Sequence, residues 1–528
     1  MFTVINPETD KLIKERLAIG ITAFNKCPAD LTEAELYSSQ IKAAIALTNN
    51  CVLQMDTGEG KTYALLPAAY AKVGVYRRVY IICGNEYLAY RDANRTKPYW
   101  DYVGLGVQYI GSDVPHTSEV WGSQIIYTTL TTLMFKALRD DLHGCPMNQR
   151  ILYNALIIDE IDVVLLDDNR PRSITMGVQA KAYDWSHAIE FAQELDAPKE
   201  IVLDRTDLSA ALTIEGERRL KDYMNRLNLP LPALGQTRVA VENAYVALQV
   251  KENQDYVILD EGICSINQIS GELEVGLQTF WMTPLAIIKH LKPATHRIEL
   301  HKMSSLVFLK QFQSLAGMSG TAQEDAPEYL FDYMLPIVRI EPRLERQRGE
   351  LPDLVFKTQT SAITVLCRQI LDAVSGGRPV LVGTQNIQDA KDIYSHLELQ
   401  VLFEELQIIP NISLITGQDD EKVAYIYEHG GEVGSVIIAT QVSGRGVDIR
   451  LSEEARRNGG LALFGLERSV SRRHDQQFLG RAGRQGDAYT AQFFLSLDGE
   501  LLKTFGAESI SSMYDSLGLD ECIPLEPV

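Results

Sequence analysis

The run Met55-Asp56-Thr57-Gly58-Glu59-Gly60-Lys61-Thr62 follows the apolar residues Cys51-Val52-Leu53. A strand, a glycine-bearing turn and a helix opening near Lys61 would set successive backbone N–H groups around a phosphate. In that frame Lys61 neutralises β- and γ-phosphate oxygens and the Thr62 hydroxyl ligates Mg²⁺. The pattern G-x-x-x-x-G-K-[ST] asks for glycine where Met55 stands, and a chance surface turn is the plain alternative. A second signal lies further along the chain. Leu156-Ile157-Ile158 runs into Asp159-Glu160-Ile161-Asp162, so that Asp159 at a strand end can hold the Mg²⁺ shell while Glu160 orients and deprotonates a water. An Asp-Glu pair after an apolar run is common by itself. Paired with the first signal in one strand–helix alternation, it predicts ATP hydrolysis with ATP and Mg²⁺ bound.

Hydrolysis of this kind needs positive charge brought from across a cleft. The C-terminal half offers Arg445 in Ser443-Gly444-Arg445-Gly446-Val447-Asp448, and Arg481 with Arg484 in Gln477-Phe478-Leu479-Gly480-Arg481-Ala482-Gly483-Arg484. Arg481 and Arg484 would share one face if that stretch were helical. Arginines opposite a γ-phosphate spread transition-state charge, and removing one can cost about 10³–10⁵ in rate. A solvated basic face is the alternative, disfavoured by glycines that suit an ordinary helix poorly.

The elements that must carry these groups are legible as short apolar runs. Val79–Ile82, Gln124–Tyr127, Ala155–Ile158, Val380–Val382 and Ser435–Ile438 look like buried parallel strands, each followed by a polar loop and a helical pattern. Two α/β lobes with ATP between them are the economical architecture. The alternation breaks after about Gly177, where a Leu/Pro-rich stretch, Leu227–Pro232, and an apparent hairpin, Val257–Ile266, follow. It breaks again at Arg339–Pro352, read as a linker or a solvated helix end. The hydroxyl-bearing loop Leu315–Ala322 lies much further beyond Glu160 than the roughly 30 residues of a βα step, so a module is inserted between neighbouring strands.

Composition sets the frame. The 528 residues carry a net charge of −20 and are 45% hydrophobic and 23% charged, which excludes a disordered chain and allows three or four domains of about 150 residues. The acidic balance argues against a protein that mainly grips nucleic-acid phosphates. The seven cysteines are scattered without a C-x-x-C pair, which suggests neither a disulfide framework nor a zinc site. The N-terminus lacks the basic start and apolar core of a secretory signal, and no uncharged apolar stretch reaches the roughly 18 residues of a membrane span. The expectation is a soluble intracellular protein.

The residues resemble the SecA preprotein translocase ATPases, and among them a divergent or accessory branch. The resemblance rests on Met55–Thr62, Asn85-Glu86-Tyr87-Leu88-Ala89-Tyr90-Arg91-Asp92-Ala93, Asp159–Asp162, Leu315–Ala322, Leu351–Val355, Pro379–Thr384, Ser443–Asp448, Gly465–Arg468, Gln477–Asp487 and Phe493–Ser496. RNA helicases share the ATP motifs but not N-x-Y-L-A-x-R-D-A or L-A-G-M-[TS]-G-T-A. The fold this implies is α/β, with two RecA-like, superfamily 2 helicase-type parallel-sheet P-loop domains and an inserted α+β preprotein cross-linking domain. Its expected boundaries are 1–177 for the first nucleotide-binding domain, 178–302 for the insertion, 303–342 for the return segment and 343–528 for the second nucleotide-binding domain. By the same resemblance Tyr37 and Gln40 fall in an adenine-reading motif, with Gln40 bonding the base. Thr57, Gly58, Glu59, Gly60, Lys61 and Thr62 form the phosphate loop, and Asp448 contacts nucleotide from the second lobe. Arg445, Arg481 and Arg484 sit at arginine-finger positions.

The implied activity is an ATP-driven motor that binds unfolded preproteins and drives them through a SecY-type channel, with accessory Sec proteins as further partners. It would work in the cytoplasm, peripherally associated with the inner face of the membrane. A superfamily 2 nucleic-acid helicase and a SecA-like regulatory or binding module with weak ATPase are the alternatives. Departures from the family pattern are also visible. Leu479 stands where the family is basic, Val447 replaces a Thr, and Asn169-Arg170-Pro171 replaces A-R-T-P at the root of the insertion. The segment before Gln40 lacks a plainly basic amphipathic helix. The residues given stop at Leu517–Val528, where the family's helical scaffold, wing domain and zinc-binding tail would begin, so either a truncated chain or a reduced homologue that borrows its scaffold from elsewhere is expected.

Overall fold

A computed structural model describes residues 7–27, 35–112, 120–143, 151–167, 173–179, 185–205, 208–227, 234–259, 262–266, 273–274, 279–291, 297–344, 349–403, 408–415, 420–440 and 449–505. The sequence features at 169–171, 228–232, 270–272, 443–448 and 517–528 lie outside the described residues.

The first sheet is built from β1 (Val52–Gln54), β2 (Val79–Ile82), β3 (Val107–Tyr109), β4 (Ile125–Thr128) and β5 (Ala155–Asp159), joined later in the chain by two more strands. Between them run β6 (Ser173–Gln179), β7 (Ile201–Asp204), β8 (Ser209–Leu212), β9 (Tyr256–Leu259), β10 (Gly262–Ile266), β11 (Leu273–Glu274) and β12 (Arg297–Ser304). The chain then returns as β13 (Ser314–Ser319) and β14 (Ile337–Arg339), and the sheet order is β14-β1-β13-β5-β2-β4-β3 with every pairing parallel. A second parallel sheet uses β15 (Leu354–Phe356), β16 (Val380–Thr384), β17 (Asn411–Ile415), β18 (Ser435–Thr440), β19 (Leu461–Leu466) and β20 (Tyr489–Ser496), in the order β15-β20-β19-β16-β18-β17. The strands expected from the apolar runs are all present.

These strands read as unbroken apolar runs because both faces are covered by helices. Side chains alternate between the faces. Ala155 and Ile157 of β5 join one core while Leu156 and Ile158 join the other. In the second sheet Val380 and Val382 face one core and Leu381 the opposite one. Each such side chain removed from water contributes about 1.5–3 kcal/mol. The helix Pro7–Lys26 buries Ile13, Leu17 and Phe24 in the same core as Ala64, Leu65 and Ala68 of the helix Lys61–Tyr76, and so backs the element that starts at Lys61.

β5 and β13 are adjacent in the first sheet, yet the whole stretch from β6 to β12 lies between them in sequence. This excursion leaves and returns as an antiparallel ribbon of β6 with β12. It carries a helical core around Trp185, Phe191, Leu220 and Met224, and a β9–β10–β11 sheet whose first pair is the hairpin around residues 260–261. Val257, Cys264 and Ile266 of that sheet pack with Ile387 of the second sheet's helix Ile387–Phe403, and Lys391 Nζ donates to Asn253 Oδ1 at 3.3 Å. The excursion is thus docked on the second α/β unit. Among the described residues, no helix is long and apolar enough to cross a membrane.

Candidate nucleotide site

The parallel order β14-β1-β13-β5 brings the carboxyl ends of those strands side by side, the edge at which open α/β sheets bind ligands. From β1 the chain turns through Gly58 (φ +88°) and Gly60 (φ +81°), left-handed values that a side chain would strain, and enters the helix Lys61–Tyr76. Met55 departs from the strict glycine pattern without harm. Its N–H donates to the Ser319 carbonyl at 3.0 Å and its side chain is buried in the core, away from the turn. Lys61 is only 8% exposed, and among the described residues its Nζ has no hydrogen-bond partner. A Cβ built on Gly320, at the end of β13, would lie 2.9 Å from Thr57 Oγ1 and 3.6 Å from Lys61 Nζ. A buried ammonium without a hydrogen-bond partner among the described residues, beside a glycine that a side chain would drive into Thr57, fits a phosphate.

At the end of β5, Asp159 Oδ1 accepts the N–H of Glu160, and Glu160 adopts a left-handed φ of +53°. A non-glycine residue held there is strained, a feature that clusters at functional sites. Burial, then the Glu160 carboxylate, push the Asp159 carboxyl up to about 7 against the pull of Lys61, with Asp92 adding to the rise. Asp92 comes from the N-x-Y-L-A-x-R-D-A stretch, in a helix that Asn85 caps by accepting the Leu88 N–H at 2.8 Å. A carboxyl raised this far marks a place short of positive charge. With Thr62 in the first turn of the adjoining helix, Asp159 offers the two oxygen ligands from which Mg²⁺ is usually held beside phosphates and water.

Beside the turn through Gly58 and Gly60 is a cavity of ≈ 180 Å³ lined by Phe24, Tyr37, Gln40, Glu59, Tyr63 and Arg343 among others. Gln40 faces the phosphate loop. Its Nε2 donates to the Glu59 carbonyl at 3.0 Å and its Oε1 accepts the Tyr37 N–H at 3.0 Å. A neighbouring cavity of ≈ 250 Å³ is lined from both sheets, by Asp56, Thr57, Gly320 and Thr321 on one side and Gly480, Gly483 and Arg484 on the other.

The arginines divide. The helix Arg472–Leu479 stops before Gly480, so Arg481 and Arg484 do not share a helical face. Arg484 approaches the phosphate loop, its Cδ 3.2 Å from a Cβ built on Gly58. Arg481 is buried against the Tyr427 ring at 5.1 Å within the second sheet's own core. Arg445 and Asp448 lie outside the described residues. What sequence reasoning did not find is the seam between the sheets. Asp162 Oδ2 accepts from Thr321 Oγ1 at 2.7 Å and from Gln477 Nε2 at 2.5 Å. Arg473 bridges Asp325 (2.6 Å) and Asp167, and His474 Nε2 lies 3.0 Å from Asp167 Oδ1. Asp162, Thr321 and Gln477 lie inside the motif-like stretches, whereas Asp167, Asp325, Arg473 and His474 lie outside them and carried no local signal.

Comparison with known proteins decides the family. The family model described as the SecA DEAD-like domain matches residues 6–330, and that of the SecA P-loop domain matches 345–458 and 451–522. The chain belongs to the SecA family. Relatives named protein translocase subunit SecA include those of Syntrophus aciditrophicus (30% identical, 93% of this chain, 58% of that protein) and Helicobacter pylori strain Shi470 (29%, 97% and 59%). The chain therefore spans less than two thirds of the SecA proteins it matches. Among solved structures, the DNA-bound DUF1998 helicase MrfA superposes with a TM-score of 0.49 at 12% identity, over 97% of this chain and 52% of that one.

Proposed function

We propose that this SecA-family chain is an ATP-hydrolysing motor that binds unfolded preprotein and drives it through a SecY-type channel, from the cytoplasmic face of the membrane. Residues 1–177 with 303–342, and 343–528, serve as the two nucleotide-binding domains, and 178–302 as the preprotein cross-linking domain. The observation that carries the reading is the buried Lys61 ammonium, without a hydrogen-bond partner among the described residues, beside Gly320, which lines a cavity walled by both sheets.

Bound Mg-ATP supplies the phosphoanhydride to be cleaved and the dication that offsets charge on it. The chain supplies the rest. Backbone N–H groups of Gly58 to Thr62 and the Lys61 ammonium hold phosphate, while Thr62 and Asp159 hold the metal. Glu160 accepts the proton of the attacking water at its carboxylate. Arg484 supplies charge from the second sheet, with Arg445 and Arg481 assigned to the same task by family position. Asp448 meets the nucleotide from that side, and Tyr37 and Gln40 bound the base. Thr321 and Gln477 share one Asp162 oxygen, so a change in the first sheet's loop is felt at the helix Arg472–Leu479. Docking of the excursion on the second sheet's helix gives that movement a route to a gripped polypeptide.

A steady-state ATPase assay with and without unfolded preprotein tests the reading. Glu160→Gln should lower turnover by about 10²–10⁴-fold, the usual worth of a positioned base. Lys61→Ala should abolish turnover through lost nucleotide binding. Wild-type rates in Glu160→Gln would refute the assignment, and stimulation by single-stranded nucleic acid instead of polypeptide would refute the substrate class.

A further inference from the structure

The segment that leaves β14 lies across the phosphate-loop turn. The Arg343 N–H donates to Glu59 Oε2 at 3.1 Å, and the guanidinium carbon of Arg343 lies 4.2 Å from the centre of the Tyr37 ring. Tyr37 is 41% exposed, large for an aromatic side chain that walls a cavity. A flat cation at that height over the ring fills the slab of space that a stacked heteroaromatic base would take. Glu59 ties the arrangement together. Its carboxylate holds the Arg343 backbone, while its carbonyl holds the Gln40 amide.

Resting on the nucleotide-site reading above, the geometry points to Arg343 as a built-in occupant of the purine slot. Its guanidinium covers the face of Tyr37 on which the base of a purine nucleotide stacks, and base entry displaces that side chain. The chemistry is suited to exchange. Guanidinium is planar and stacks on aromatic faces, as a purine does, so one surface serves both. Arg343 is exposed to water, so its side chain is readily solvated when it leaves. A cation–π contact at such a site shifts an equilibrium by about 2- to 5-fold, enough to tune affinity without blocking binding. A ligand with phosphates and no base leaves Arg343 in place, whereas a nucleoside polyphosphate moves it. Pro342 and Leu344 line the phosphate cavity but the Arg343 side chain does not, so a ligand of phosphates alone reports on that cavity without the guanidinium.

Isothermal titration calorimetry of the full chain with Mg-ADP and with inorganic tripolyphosphate tests this. Arg343→Ala should bind Mg-ADP about 2- to 5-fold more tightly than wild type and bind tripolyphosphate equally well. Arg343→Lys, which keeps the charge without the planar fork, should fall between. Unchanged or weaker Mg-ADP binding in Arg343→Ala, or an equal shift for tripolyphosphate, overturns the proposal while leaving the site reading intact. Lys61→Ala binding Mg-ADP as wild type does would instead remove the nucleotide site itself, and this proposal with it.

Discussion

Glu467 shows how far single side chains in this protein depart from their ordinary state. It sits at the end of β19 with a φ of +64°, and its Oε1 accepts both the N–H (2.8 Å) and the hydroxyl (2.7 Å) of Ser496. Burial pushes its carboxyl from 4.5 up to about 7, the Ser496 bonds opposing and Asp389 reinforcing the rise. The folded chain therefore keeps a proton between about pH 4.5 and 7 that the unfolded chain releases. Stability from this group is full below that window and falls as pH rises through it, by on the order of 3 kcal/mol. Glu467→Gln preserves an acceptor for Ser496 and removes the titration. Its thermal midpoint should gain several degrees on wild type between pH 5 and pH 8, and parallel pH profiles would refute the assignment. The phosphate loop and the Asp159-Glu160 pair were legible at this scale because each is a short polar run on the end of an apolar strand. The opposite fates of Arg481 and Arg484 were not. Three-residue spacing puts two side chains together only if the helix continues, and here it ends at Leu479.

Among the elements, the helix Arg472–Leu479 belongs to the second sheet by sequence but spends its charges on the first. Arg473 is buried between Asp167 and Asp325, and burial is outweighed by these carboxylates, which hold the guanidinium firmly charged. Removing one partner from a buried ion pair typically costs about 3–5 kcal/mol, because the other charge stays desolvated. Separation of the two sheets would relieve that cost by letting water reach Asp167. Arg473→Met should therefore raise backbone hydrogen exchange in residues 472–479 and increase the radius of gyration in solution scattering, while exchange in β1 and β5 stays low. An unchanged radius and exchange pattern would show that the pair does not hold the seam. Strand existence could be read from the sequence, since β2, β5, β16 and β18 are nearly pure apolar runs. Their order could not, because β1 in the first half of the chain pairs with β13 and β14 in the second, on the far side of the whole excursion.

At the scale of the molecule, the excursion and the two α/β units meet one another through side-chain contacts of named residues. The excursion reaches the second unit by way of Val257, Cys264 and Ile266 against Ile387, plus the Lys391–Asn253 bond. Ile387→Asp would set a charge in that small apolar contact. It should raise hydrogen exchange across β9 and β10 without altering the first sheet, and unchanged protection of those strands would mean the dock lies elsewhere. The β6–β12 ribbon gives this arrangement a mechanical character of its own. Two strands hydrogen-bonded side by side resist stretching and sliding, yet twist and bend at little cost, and the register break between Glu299 and His301 concentrates the bend. The ribbon lies against the helix Leu130–His143, and β12 runs directly into the helix Ser305–Leu309 that precedes β13. A small tilt of those two helices would therefore be carried outward, as along a lever gripped at one end, to the far part of the excursion.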